Sequence, residues 1–387
     1  MPDAPMKSPG EKPRPFSVVI VGGGRIGSAL AILLRQVPEF DVVIVDPTEP
    51  ARVNARNLNL RLVDIDPGNA SKLDSLLARS DAVVAALPSS ATPPVAAAAR
   101  RSGVHYLDLS DDTPGLEAVR REAASAPACF VPQCGVSPGL ISPLVLDLLS
   151  RGVMQAEVNV RIGTLPRHST NRFGYGLTWD VDALLREYLQ PSTALIDRKV
   201  TSLPPLSEQE QLRLDDSLYE VFVSGNISLS LCTRLEGCVD SLVSRTIRYP
   251  GHLDYMKFLL DDLKLRHRVD LLRNLFLNAL PEIDDDRLLI FITAVGMRNG
   301  RRIEHRFARH VVPATIGAVS LSAMRRTAAS HVAAILDLIR EGRLGGPGLI
   351  AQEDIPIDAL RANRFLSWFF DGIATASAAH SSMETAS

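Results

Sequence analysis

The stretch from Val18 to Leu30 limits the possible folds more than any other. The β-branched run Val18-Val19-Ile20-Val21 feeds directly into Gly22-x-Gly24-x-x-Gly27, and Ile26, Leu30, Leu33 and Leu34 follow at helical spacing. Strand, tight turn and helix are thereby predicted in immediate succession. The first glycine permits the turn, the second lets backbone approach a pyrophosphate, and the third lets helix pack on strand. The new helix, opening at Arg25 and Ile26, directs unpaired N–H groups and the positive end of its dipole at phosphate. A second apolar strand over 41–45 ends at Asp46, 24 residues beyond Gly22. An acidic side chain at that distance can receive both hydroxyls of an adenine ribose. The alternative is a strand-terminating turn residue ahead of Pro47. No arginine directly follows Asp46 to grip a 2′-phosphate, so NAD is expected ahead of NADP, with NADP possible.

At 387 residues the chain can bury two sizeable cores. A net charge of -2 without a basic stripe carrying interleaved aromatics argues against a nucleic-acid surface. No apolar run is long enough to span a bilayer, so no membrane partner is expected. Cys129, Cys134, Cys232 and Cys238 form no CxxC pair, which argues against a structural metal or disulfide framework. Reduced thiols in a cytoplasmic setting are the simple reading. Residues 1–15, rich in proline and charge, read as a loose arm rather than a signal peptide.

Strands at 61–65, 81–88, 104–110 and 129–132 alternate with helices at 52–60, 70–79, 94–102 and 116–126. That rhythm predicts a Rossmann-type doubly wound parallel sheet, an α/β dinucleotide-binding domain over 16–138. Strand ends on its carboxyl edge are where such sheets hold ligands. Leu87 and Pro88 are therefore expected to line the cofactor cleft, although an ordinary strand-terminating turn fits as well. Beyond Gly139 strands dominate, at 156–162, 220–224, 242–249, 288–297 and 302–312, with helices at 180–188 and 253–275. Arg298-Asn299-Gly300 is a hairpin signal, because Asn-Gly tolerates positive φ at both central positions. An inserted α+β domain for substrate and dimerisation is expected over 139–313. A helix over 314–339 opens a C-terminal helical return (314–372) to the first domain, and 373–387 reads as a disordered tail.

The glycine loop, the turn Gly135-Val136-Ser137-Pro138-Gly139, the stretch Tyr175-Gly176-Leu177-Thr178-Trp179, the segment Arg248-Tyr249-Pro250-Gly251-His252 and the late Gly345-x-x-Gly348 together resemble the saccharopine dehydrogenase (reductase-type) family. Within it the likeness is nearest to the lysine 6-dehydrogenases, and it runs from about residue 16 to about residue 360. The resemblance implies an NAD(P)-dependent oxidoreductase acting on a C–N bond of an amino acid. Relatives oxidise the lysine ε-amine, or reduce imines to saccharopine or carboxynorspermidine. Those relatives often carry Ser-Gly-Gly-Thr where this chain has Ser224-Gly225-Asn226-Ile227. If that turn frames the substrate, the substrate differs with it. From another class, a dinucleotide-binding sensor without catalysis stays open. A homodimer is expected.

Chemistry of this kind needs alignment, a proton acceptor or donor for nitrogen, and a grip on the substrate carboxylate. Gly135, Pro138 and Gly139 offer a side-chain-free approach to the nicotinamide. His252 and Asp108 are the proton-transfer candidates. Equally, His252 could be a helix-entry residue and Asp108 a loop-fixing carboxylate. Arg248 is the leading carboxylate anchor, since a guanidinium forks onto a carboxylate; otherwise it is solvated or paired with an acid. Arg172 comes second. Tyr175 and Thr178, with Tyr249 beside Arg248, are read as substrate contacts or as domain core. Cys134 reads as a small buried filler rather than a nucleophile.

Overall fold

The computed structural model describes residues 14–169, 171–214, 217–225 and 227–371. The expected tail at 373–387 lies outside these residues, as do Asn226 and all of the expected arm except Arg14 and Pro15.

Strand β1 (Phe16–Val21) leads into helix α1 (Arg25–Leu34). The alternation continues through β2 (Phe40–Val45), α2 (Glu49–Asn57), β3 (Leu62–Val63), α3 (Ala70–Leu77), β4 (Ala82–Ala85), α4 (Pro93–Ser102), β5 (His105–Asp108), α5 (Thr113–Ala123) and β6 (Cys129–Val131). These strands pair in parallel in the order β6-β5-β4-β1-β2-β3. Val18 to Val21 are fully buried, as a central parallel strand covered on both faces requires. Val18 and Ile20 face a core that includes Leu30 and Leu34 of α1, and Val19 and Val21 face Leu73 of α3 and Ala99 of α4. The sheet is therefore doubly wound.

The second half begins with α6 (Ile141–Ser150), β7 (Met154–Pro166), α7 (Val181–Leu189), β8 (Ser192–Ile196), β9 (Lys199–Leu203), β10 (Glu210–Leu214) and β11 (Ser217–Val223). It continues with α8 (Leu229–Leu235), β12 (Ser241–Arg248), α9 (His252–Lys257), α10 (Val269–Ala279), β13 (Asp286–Arg298) and β14 (Arg301–Val311). A mixed sheet results, in the order β10-β11-β12-β7-β13-β14, with the β8-β9 hairpin attached to β12. The β13-β14 turn has φ of 51° at Asn299 and 75° at Gly300, the positive values the Asn-Gly pair was expected to adopt.

Several segments differ from the sequence expectation, β10 and α8 among them as elements that were not expected, and three show a cause. The expected helix over 314–339 instead starts with a hairpin of β15 (Ala314–Ile316) and β16 (Val319–Leu321), and only then runs as α11 (Ala323–Arg340). Gly317 turns the hairpin at φ 59°, and Thr315, Ile316 and Val319 are the β-branched residues that favour strand. Helix α11 starts where it does because Ser322 Oγ accepts from Arg325 N and the buried Asp286 carboxylate accepts from the N–H groups of Ala323 and Met324. The expected helix over 253–275 breaks between α9 and α10, where Lys264 is left-handed at φ 59°. No Gly or Pro marks that break; tertiary packing imposes it. Strands β8 and β9 were not expected, because their tight turn uses Asp197 and Arg198 at φ 49° and 65° rather than an Asn-Gly pair.

The chain then returns to its start. Strand β17 (Gly348–Leu349) adds in parallel to β6, ahead of α12 (Ile357–Ala362) and α13 (Ser367–Phe370). Helix α11 packs along α1, and its Val332, Ile335 and Leu336 share one apolar core with Leu30 of α1, Val160 of β7 and Ile292 of β13. That shared core fixes the carboxyl edge of the parallel sheet against the mixed sheet.

Candidate active site

The glycine loop divides its labour as its spacing implies. Gly22 has φ 109°, and a Cβ there would overlap the carbonyl oxygen of Ala86; one on Gly27 would overlap the carbonyl oxygen of Gly22. Both positions are therefore closed by the protein's own backbone. A Cβ on Gly24 meets nothing within 4 Å, and Gly24 caps α1 without a side-chain hydrogen bond. The mouth of α1 thus offers free N–H groups and open space, which fits a dinucleotide pyrophosphate. Leu87 lies over Gly22, and Pro88 is exposed beside it.

Asp46 stands at the end of β2 against this loop. Its carboxylate accepts from Gly23 N at 2.8 Å and from Thr48 N and Oγ1 at 2.9 and 2.6 Å. It is a turn-fixing residue, as the alternative reading of the sequence had it. Arg25 departs from its expected place. Its guanidinium reaches the carbonyls of Leu177 and Ile283 and the Asp284 carboxylate, and bridges the two sheets' domains instead of standing free over the phosphate space. Ile26 is half-buried against the main core.

Asp108, at the end of β5, is fully buried and fully engaged. It accepts from Ser110 N and Oγ, from Gln133 N and from the Tyr106 hydroxyl at 2.7–2.9 Å. Burial raises its pKa while these donors oppose the shift. The arrangement is that of the loop-fixing carboxylate, tying the ends of β5 and β6 together. The next turn is held from α11: Gly135, at φ 104°, donates its N–H to Nδ1 of the buried His331 at 3.1 Å. A Cβ on Gly139 would come within 2.9 Å of the Gln133 carbonyl. Burial lowers the His331 pKa to about 3, so the imidazole is neutral and can accept. The Ser137–Pro138 peptide is cis. Cys134 is buried and burial pushes its thiol well above the usual range, as for an inert filler.

Between this turn and the mixed sheet lies a narrow cleft. Its walls include Val136 and Ser137 from the turn, Ile162 to Thr164 of β7, Ser244, Thr246 and Arg248 of β12, Glu187 of α7, Trp179, Leu288 and Met324. Arg248 is buried yet has no carboxylate within ion-pair distance among the described residues. Its Nε donates to the Tyr188 hydroxyl at 2.8 Å, one N–H donates to the Ile247 carbonyl, and its guanidinium lies 5.0 Å from the Tyr175 ring centre. Tyr188 in turn hydrogen-bonds Nε2 of His252 at 3.0 Å, and Nδ1 of His252 faces the Phe173 carbonyl at 3.0 Å. The directions follow from the ends. A guanidinium can only donate and a carbonyl can only accept, so His252 carries its proton on Nδ1 and receives the Tyr188 hydroxyl on Nε2. Burial and the Arg248 charge hold the His252 pKa well below its ordinary value, and the imidazole is neutral. Both of its nitrogens are occupied, and His252 lies behind Tyr188 rather than in the cleft wall.

Tyr175 supports this group from below, with its hydroxyl accepting from Trp179 Nε1 at 3.2 Å, and Thr178 is buried beside it. Tyr249 does not join it. As the residue after Arg248 it faces the other way, donates to the Pro166 carbonyl at 2.8 Å and stacks on Tyr219. Arg172 is exposed and outside the cleft wall. Three contributors went unnoticed in sequence: Glu187, Tyr188 and His331. The first two sit on α7, where Val181, Leu184, Leu185 and Tyr188 form the buried stripe and Glu187 flanks it. A carboxylate on the flank of an apolar stripe was the available signal.

Residues 18–129 match the family model described as the saccharopine dehydrogenase NADP binding domain, and residues 135–369 match the saccharopine dehydrogenase C-terminal domain. The chain is 24% identical to the mitochondrial alpha-aminoadipic semialdehyde synthase of Mus musculus over 194 residues, 48% of this chain and 21% of that protein. It is 22% identical to a Saccharomyces cerevisiae protein named saccharopine dehydrogenase [NADP(+), L-glutamate-forming] over 260 residues, 63% of this chain and 57% of that one. The chain therefore spans between about a fifth and somewhat over half of these curated relatives. The apo structure of saccharopine dehydrogenase (L-Glu forming) from Saccharomyces cerevisiae superposes with a TM-score of 0.71 at 16% identity, covering 89% of this chain and 96% of that one. At that identity the likeness is one of fold.

Proposed function

The chain belongs to the saccharopine dehydrogenase family, and from that premise we propose that it is an NAD(P)-dependent oxidoreductase acting at the nitrogen-bearing carbon of an amino acid. The observation that carries this is Arg248, a buried cation in a cleft that opens on the Gly135–Gly139 turn, with Glu187 as an electrostatic counterpart but no carboxylate in direct ion-pair contact among the described residues. A buried charge without a direct ion pair is costly and is relieved further by a ligand anion. The substrate carboxylate is that anion, gripped by the guanidinium whose orientation Tyr188 and His252 hold. His252 is then a positioning residue, and Asp108 a scaffold for the turn. Trp179, Ile162, Leu288 and Met324 wall the cleft with apolar surface and limit water around the reacting carbon.

A nicotinamide dinucleotide supplies the hydride acceptor or donor when bound. Gly24 and the mouth of α1 would hold its pyrophosphate and Asp46 its adenine ribose, bringing its reactive ring to the side-chain-free turn at Gly135. We assign NAD as the preferred form. Arg52, the arginine nearest Asp46 along the chain, is already committed to Glu49, Asp64 and the Pro47 carbonyl, and so is not free to bind a 2′-phosphate.

Arg248 is the single cation lining the cleft among the described residues. This favours a substrate with one carboxylate and a distal amine, as in lysine 6-dehydrogenase chemistry, over saccharopine with its several carboxylates. The test is nicotinamide reduction at alkaline pH with NAD or NADP, across lysine, ornithine, saccharopine and related amines. Turnover of lysine supports the reading, and turnover of saccharopine alone moves the substrate to a secondary amine. Silence across the panel while NAD still binds refutes amine oxidation, and favours imine reduction or a dinucleotide sensor.

A further inference from the structure

We infer that Glu187 is the proton acceptor for the substrate nitrogen, a role resting on the amine-oxidation reading above. Three structural facts converge on this residue. Glu187 lines the same cleft as Arg248 and Ser137, so one substrate can touch the anchor, the acid and the Gly135–Gly139 turn together. Its carboxyl has no ion-pair partner within 4 Å among the described residues, because the neighbouring Arg186 is taken by Asp111 at 2.8 Å. Its Oε1 lies 3.5 Å from where a Cβ on Gly225 would stand, and Ser244 Oγ lies 3.9 Å from that same point, so the carboxyl sits beside the Gly225 turn and the β12 side of the cleft.

The surrounding charges set its state. Facing it are Arg248 on β12, Asp111 from the loop after β5, Arg186 on its own helix, and the buried phenols of Tyr175 and Tyr188. Burial is the dominant influence and Asp111 reinforces it; Arg248 and Arg186 oppose. The balance pushes the carboxyl up to about 7. A base poised there is ionised over the pH range in which an amine substrate must lose its proton.

The step balances as follows. The Glu187 carboxylate takes one proton from the substrate ammonium, leaving a neutral amine and a carboxylic acid. The carbon then loses hydride to the oxidised nicotinamide dinucleotide as the nitrogen lone pair forms the C=N bond, giving an iminium ion. Glu187 afterwards releases its proton to water, so one proton and one reduced dinucleotide appear per turnover.

The experiment compares wild-type protein with Glu187→Gln, using NAD and whichever amine the panel identifies. Wild-type kcat/KM is expected to rise with pH through about 7. In Glu187→Gln that limb disappears and kcat falls by roughly 10²- to 10⁴-fold. NAD affinity, read by fluorescence titration, stays unchanged. Formate restores part of the turnover of Glu187→Ala, which a structural role would not allow. Turnover in Glu187→Gln at the wild-type rate, or a lowered rate with the acidic limb intact, overturns the assignment while the amine-oxidation reading stands. Wild-type protein that reduces neither dinucleotide with any amine overturns both.

Discussion

Replacing Arg248 by methionine separates an anchor from a structural ion, because the two roles predict opposite signs. The substitution removes two hydrogen bonds, to Tyr188 and to the Ile247 carbonyl, worth about 1 kcal/mol each. It also removes the contact with the Tyr175 ring, worth about 0.5–2 kcal/mol. Against these stands the several kcal/mol of desolvation carried by a buried cation that Glu187 offsets only across the cleft, without a direct ion pair. An apolar side chain of similar volume should therefore leave the protein as stable as before, or up to about 2 kcal/mol more stable. Substrate binding moves the other way. Loss of a charge-assisted fork on the carboxylate costs about 2–4 kcal/mol, a rise in KM of roughly 30- to 1,000-fold. Relieved of the Arg248 charge, His252 should titrate nearer its ordinary range yet still below it, since burial remains. Chemical denaturation, steady-state kinetics and imidazole NMR report the three quantities. Arg248→Met with a large loss of stability and an unchanged KM would refute the anchor.

The remaining expectations concern the loop, the acid and the scaffold. Gly24→Ala should fold normally, since a Cβ there meets nothing, and yet bind NAD about tenfold or more weakly as that Cβ enters the phosphate space; Gly27→Ala should disrupt the loop itself, and calorimetric titration with circular dichroism distinguishes the two. Burial holds the folded pKa of Glu187 above its unfolded value, so wild-type stability relative to Glu187→Gln is lost as pH rises from about 4.5 to about 7 and is flat above. At pH 8 Glu187→Gln should be the more stable protein, by up to about 3 kcal/mol, and equal melting temperatures at pH 8 would contradict this. Asp108→Ala leaves four buried donors without an acceptor and should cost about 3–5 kcal/mol in denaturant unfolding; wild-type stability together with a selective loss of kcat would make Asp108 catalytic after all.

Sequence alone determined what local chemistry controls. The β-branched run, the glycine spacing and the 24-residue interval to Asp46 could serve only a strand, turn and helix with an acid at the next strand's end, because each glycine answers a backbone demand a few residues away. The alternation that followed then dictated a parallel sheet, and Asn299-Gly300 dictated its hairpin. Arg248 stood out as a candidate anchor because it falls in a segment with a family signature, although its lack of a direct ion pair was not visible there.

Tertiary structure decided everything that depends on which side chains meet. His252 and Asp108 looked like proton-transfer groups as residue types, and packing occupied every nitrogen of the one and both oxygens of the other. Glu187 drew no attention in sequence, since a glutamate in an amphipathic helix is ordinarily solvated. Its situation arises only when α7, β12 and the β5–α5 loop close around it from positions more than 60 residues apart in the chain. The break at Lys264 and the Asp197-Arg198 turn were hidden for the same reason. Local propensity is a matter of tenths of a kcal/mol per residue, and the packing of distant elements outweighs it.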